Sequence, residues 1–142
     1  MLDRLERVAW QEGLPFGDRR RTYNSRLAQE LGKWAESKGR GHEFHMAVFG
    51  AYFADNKNIG SIPVLIDIAT SVNLPGQEAE KVLESRAFKG SVERDWARSH
   101  ELGVMAVPTF LINGQRMVGA QPYESLERLL RDNGVKSHRP KA

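Results

Sequence analysis

Apolar residues recur at helical spacing through the first hundred positions, then collapse into one continuous run near residue 110. Leu2, Leu5 and Ala9 precede Gly13 and predict a short helix over 2–12. Leu14-Pro15-Phe16-Gly17 reads as a loop. Leu27, Leu31, Trp34 and Ala35 share one face of a helix over 23–38, which Gly39 and Gly41 end. Over 42–55, Phe44, Val48, Ala51 and Tyr52 form one stripe, with Phe49 and Phe53 beside it. That helix is apolar round much of its circumference and should be largely buried. Ser61 is placed to cap the next helix, with Pro63 in its first turn, where a missing N–H does no harm. Val64-Leu65-Ile66 fits a strand as well, but Leu65, Ile68, Ala69 and Val72 keep helical spacing and favour helix. After Pro75-Gly76 a helix is predicted over 77–87. Ser91 would cap another over 92–102, with Val92 and Trp96 inward and Gly103 as its stop.

Beyond Gly103 the period changes. Phe110-Leu111-Ile112 is an unbroken apolar run, the pattern of a strand covered on both faces. Asn113-Gly114 follows, a strong signal for a two-residue hairpin turn that needs positive φ twice. Gln115 to Val118 is the returning strand. Pro122 opens a last helix, Glu124 favours its N-terminus, and Tyr123, Leu126 and Leu130 face inward. The order is strand, hairpin, strand, helix.

Composition narrows the function classes. The chain has 142 residues, 21 basic and 18 acidic, for a net charge of +3. That excess is too small to argue for a nucleic-acid partner. Arg19-Arg20-Arg21 and the stretch Lys136 to Lys141 read as solvated basic segments. No apolar run approaches the ~20 residues needed to cross a membrane, so no membrane partner is expected. Met1-Leu2-Asp3-Arg4-Leu5-Glu6-Arg7 lacks the apolar core of a signal peptide, and the expected location is the cytoplasm. Cysteine is absent. This excludes disulfides, cysteine metal sites and a thiol nucleophile within the chain. His42 and His45 stand near one helical turn apart, yet fit no recognised zinc pattern and read as surface or partly buried side chains. No metal, no cofactor and no catalytic residue is assigned. Trp34 and Trp96 read as core. Phe44, Phe49, Tyr52 and Phe53 fit a ligand groove, but core packing is the favoured reading.

Val107-Pro108-Thr109-Phe110 stands directly before the apolar strand. Upstream, Asn24, Ala28 and Leu31 are followed by Phe49-x-Ala51-Tyr52-Phe53, Asn58-Ile59 and Leu65-x-x-Ile68-Ala69. Downstream come Ala97, Leu102-Gly103-Val104 and Gly119-Ala120-Gln121-Pro122. This ordered set, over about residues 14–132, resembles the FrnE-like branch of the DsbA family. These are thiol-disulfide oxidoreductases with a helical domain inserted into a thioredoxin fold. The resemblance implies an α-rich α/β chain, a partial DsbA-like thioredoxin fold. Residues 1–21 would be an N-terminal helix and loop and 22–102 the helical insert. The C-terminal thioredoxin-like ββα unit would be 103–134, with 135–142 a disordered basic tail. It also implies a cis Val107–Pro108 bond, and substrate binding at Val107, Pro108 and Thr109, where an extended polypeptide would add as a strand.

The departure from the family is the segment that carries its chemistry. Members begin with a strand, a Cys-x-x-Cys motif at a helix N-terminus, and a second strand; there the helix dipole and backbone amides make the first cysteine a thiolate. Nothing before Leu14 supplies these. A strand at 109–112 covered on both faces also wants two neighbours, and only 115–118 is offered; an isolated hairpin is marginal. A piece or late start of a longer oxidoreductase is the first expectation. Behind it stand a cysteine-free relative that works by binding, and a homodimer joined through the open strand edge. The implied function is thiol-disulfide oxidoreductase by relation, with this polypeptide inactive alone. Its partners would be thiol- or disulfide-containing or unfolded polypeptides. A non-catalytic peptide- or partner-binding module is the alternative. A further one is the branch of kappa-class glutathione transferases and 2-hydroxychromene-2-carboxylate isomerases.

Overall fold

The helical spacing resolves into seven α-helices and one hairpin in a computed structural model, which describes residues 2–18 and 21–136. The order is α1 (Leu2–Gln11), α2 (Arg26–Ser37) and α3 (Gly41–Phe49), which runs into a π-helical turn (Gly50–Ala54). Then follow α4 (Ile62–Ser71), α5 (Gly76–Ser85), α6 (Lys89–Glu101), β1 (Thr109–Ile112), β2 (Gln115–Val118) and α7 (Tyr123–Asp132). The chain divides into two compact units, Met1–Asp95 and Trp96–Ala142.

The first unit holds the core. α2 packs on α3, α4 and α5, and α4 packs on α3 and α5. Leu31, Trp34, Phe44, Leu65 and Leu83 are buried there with Ala35, Ala69 and Ala79 between them. Burying each large side chain contributes about 1.5–3 kcal/mol. Residues 64–71 are helical because Leu65, Ile68 and Ala69 fall on one face and enter this core. Among the described residues the one buried charge is Glu30, its side chain 2% exposed. Arg86 donates to both of its oxygens at 2.7 Å, and Arg26 Nε donates to Oε1 at 2.9 Å. Arg86 ends α5 in the left-handed region, at φ +54.

Several expected details change. Ser61 makes no side-chain capping bond. Pro63 in the first turn has already removed one of the donors that a capping hydroxyl would satisfy. Ser91 lies inside α6 rather than before it, because the left-handed Arg86 turns the chain sharply and α6 begins at Lys89. Trp96 is not core; it is 47% exposed. The single helix expected over 42–55 changes pitch at Gly50, where Asp55 N–H donates five residues back to the Gly50 carbonyl. Phe44 is buried as expected, whereas Phe49 is 54% exposed and Tyr52 and Phe53 are half-buried. A helix carrying aromatic side chains all round cannot bury them all against one core.

In the second unit β1 and β2 pair antiparallel, Thr109 opposite Val118 and Ile112 opposite Gln115. Asn113 (φ +47) and Gly114 (φ +80) make the turn, both in the left-handed region that the asparagine-glycine pair tolerates. The expected cover on both faces of β1 is not there: Phe110 and Leu111 are exposed, as are Tyr123 and Leu130 of α7. Two strands and one helix offer too little surface to enclose them. No described residue beyond Val92 is buried. Arg19, Arg20 and, from 137 onward, the basic tail expected over 135–142 lie outside the described residues. Among those described, no helix is long and apolar enough to cross a membrane.

Candidate functional site

The expected site residues sit at the entry to the hairpin. Gly103 lets α6 end, and the chain reaches β1 through an uncharged loop in which Met105 is 81% and Val107 88% exposed. The Val107–Pro108 peptide bond is cis. Thr109 Oγ1 donates to the Ala106 carbonyl at 2.6 Å, closing the loop over the proline. Gly119 N–H donates to the Pro108 carbonyl at 2.8 Å, continuing the ladder one step past β1.

That last bond fixes which backbone groups are spent. In an antiparallel pair, alternate residues exchange hydrogen bonds with the partner strand and those between point away. Pro108 bonds inward, so Phe110 and Ile112 bond inward too. Thr109 and Leu111 then direct their N–H and C=O outward, along the edge that β2 does not occupy. Among the described residues the sheet has two strands, so this edge has no strand partner within it. Beside it Phe110, Ile112, Leu126, Leu129 and Leu130 line an apolar cleft of about 500 Å³. Backbone groups in register next to an apolar trough are what an added strand needs. Sequence reasoning found the proline loop but missed Leu111, because which residues face outward depends on the register of the turn.

His45 Nε2 lies 3.2 Å from Glu36 Oε1, and among the described residues no group of three or more ligating side chains comes together. No residue of the chain is a thiol.

A family model described as the DSBA-like thioredoxin domain matches residues 1–131. The chain belongs to the DsbA-like thioredoxin family. It is similar to the uncharacterized protein YwbO of Bacillus subtilis, 34% identical over 113 residues, 78% of this chain and 56% of that protein. It therefore spans little more than half the length of this curated relative. A probable DsbA oxidoreductase from Streptomyces coelicolor superposes with a TM-score of 0.84 at 26% identity, over 99% of this chain and 62% of that one. The cytosolic disulfide reductase DsbM of Pseudomonas aeruginosa shares the fold, with a TM-score of 0.59 at 23% identity over 92% of this chain and 75% of that one. This DsbA-like chain is helix-rich with a small sheet, and its family is one of thiol-disulfide oxidoreductases. Its own sequence combines a cis Val107–Pro108 bond with no cysteine.

Proposed function

We propose that this chain is a FrnE-like member of the family whose own role is to dock polypeptides, without redox turnover. The observation that carries the reading is the outward edge of β1. It starts at an exposed Val107, offers Thr109 and Leu111 backbone groups, and belongs to a chain with no thiol. An unfolded or disulfide-containing polypeptide would add as a strand at Val107, Pro108 and Thr109, with apolar side chains in the adjacent cleft. In this reading 22–102 is the insert and 103–134 the docking half. The same open edge supports a second reading, pairing with another copy of the chain, because exposed edges template such contacts.

Two measurements test the proposal. The purified chain should neither reduce insulin nor oxidise a dithiol peptide; turnover by this polypeptide would sink the claim that it does no redox chemistry. A fluorescein-labelled unfolded peptide with alternating apolar residues should bind saturably. Leu111→Pro removes one outward N–H while leaving the bonds to β2 intact, a tolerated place for proline on an edge strand. It should weaken binding about tenfold or more; unchanged binding overturns the edge model. Sedimentation velocity separates peptide docking from self-pairing, which the same substitution would abolish.

A further inference from the structure

The helical unit carries a second cleft that the docking edge does not use. It measures about 410 Å³ and opens between α2, α3 and the π-helical turn. Ala28, Val48 and Ile59 form a buried apolar floor. The walls are aromatic: Phe49 and Phe53 have ring centroids 6.3 Å apart, and Tyr52 meets Phe53 edge-on at 4.9 Å. The π-helical turn creates this wall. Its wider pitch keeps Ala51 in the core while Tyr52 and Phe53 both come out half-buried, and such turns gather at functional positions.

One histidine lines the cleft, and it is held in place. His45 Nε2 lies 3.2 Å from Glu36 Oε1. Burial pushes the Glu36 carboxyl up, but bonds from Lys33 and His45 outweigh it and hold the group below its usual range, so it is ionised at neutral pH. With Nε2 turned to that carboxylate, Nδ1 is the ring nitrogen left for another partner. Gly32 leaves room for the ring. A Cβ on Gly32 would stand 2.8 Å from His45 Cε1, so the imidazole lies against the backbone of α2. About one turn back along α2, Gln29 donates to Ser25 Oγ at 2.9 Å.

We propose that this cleft binds a flat aromatic molecule bearing an acidic hydroxyl, such as a phenol or naphthol. Its ring lies on Phe49, Tyr52 and Phe53, and its hydroxyl donates to the His45 imidazole. The volume and the mix of apolar walls with a few fixed polar groups match small-molecule sites, which occur between the helices of bundles. The side chains lining the cleft carry no carboxylate, which would compete with His45 for the hydroxyl proton.

The test uses the full chain and two fluorescent probes, 2-naphthol and 2-methoxynaphthalene, which share a ring and differ in the donor. 2-Naphthol should bind saturably with one site, and the ether about fivefold more weakly, the worth of one neutral hydrogen bond. His45→Phe should bring 2-naphthol to the level of the ether. Gly32→Ala keeps the histidine but fills the space beside it, and should do the same. Far-UV circular dichroism checks that both variants are folded. Leu111→Pro should leave naphthol binding unchanged, which keeps this site distinct from the docking edge. Equal affinity for the two probes, no saturation, or wild-type naphthol affinity in either folded variant overturns the proposal.

Discussion

Replacing Glu30 with glutamine removes one charge from the helical unit with little change in volume. Glu30 is sealed at 2% side-chain exposure, while Arg26 and Arg86 keep 18% and 42% and reach water. The amide still accepts one bond, but its NH2 faces a guanidinium, donor against donor. Breaking a fully buried pair costs about 3–5 kcal/mol. Here the orphaned arginines can turn outward, so the expected loss is smaller, ~2–3 kcal/mol. For a chain of this size that lowers Tm by roughly 6–12 °C. Urea unfolding followed by circular dichroism at pH 7 measures it. The acid limb supplies a second signature. The Arg86 hydrogen bonds hold the Glu30 carboxyl below its ordinary value of 4.5, against the opposing effect of burial. A depressed carboxyl stabilises the fold fully above the unfolded-state pKa, and that contribution is lost as pH falls through the folded one. The gap between wild type and Glu30→Gln should therefore hold steady from pH 7 to about 5, then shrink below 4.5. A variant within ~0.5 kcal/mol of wild type at pH 7, inside the usual range of an uninvolved surface change, refutes the reasoning, as does a gap that ignores pH.

Other substitutions follow from the same packing. Ser61→Ala should change stability by less than ~0.5 kcal/mol in a thermal melt, where a working cap would cost about 1 kcal/mol. Gly17→Ala should cost ~1–3 kcal/mol by urea titration, since the added methyl would meet the Ala54 carbonyl and the Asn56 amide, 2.7 Å away. Trp34→Ala should cost about 3–5 kcal/mol by the same titration, because the ring is buried in the helical core. Arg86→Gly should lower Tm even though glycine adopts φ +54 more readily than arginine; a rise would mean that backbone strain outweighs the bonds to Glu30.

Periodicity made the helices legible because one face of each faces a common core. The Leu31, Trp34, Ala35 stripe and the Leu65, Ile68, Ala69 stripe both lead to it. The asparagine-glycine turn was legible for a local reason, the positive φ that both residues accept. What sequence spacing could not show is how much surface exists to receive each apolar face. Trp96, Tyr123 and Leu130 stand at inward-facing helical positions yet remain exposed, because their unit is small. The Glu30–Arg86 pair was hidden by its separation of 56 residues. The aromatic cleft leaves one trace, a helix with more aromatic side chains than one core can hold, a pattern that fits a ligand groove as well as the core packing favoured for it. The proline loop was found by resemblance, but the outward set of Thr109 and Leu111 needed the register.

The uneven burial has a consequence for how the molecule opens. Among the described residues every fully buried side chain lies at or before Val92, so breaking the β1–β2 ladder exposes no sealed core within its own unit. Its amides should exchange with solvent deuterium through local openings costing far less than global unfolding, while those of α2 and α4 wait for the whole helical unit to come apart. A hairpin that opens so cheaply is not a rigid template. Whatever strand pairs with it would slow that exchange, and the protection pattern, residue by residue from Thr109 to Val118, would report the register of the guest.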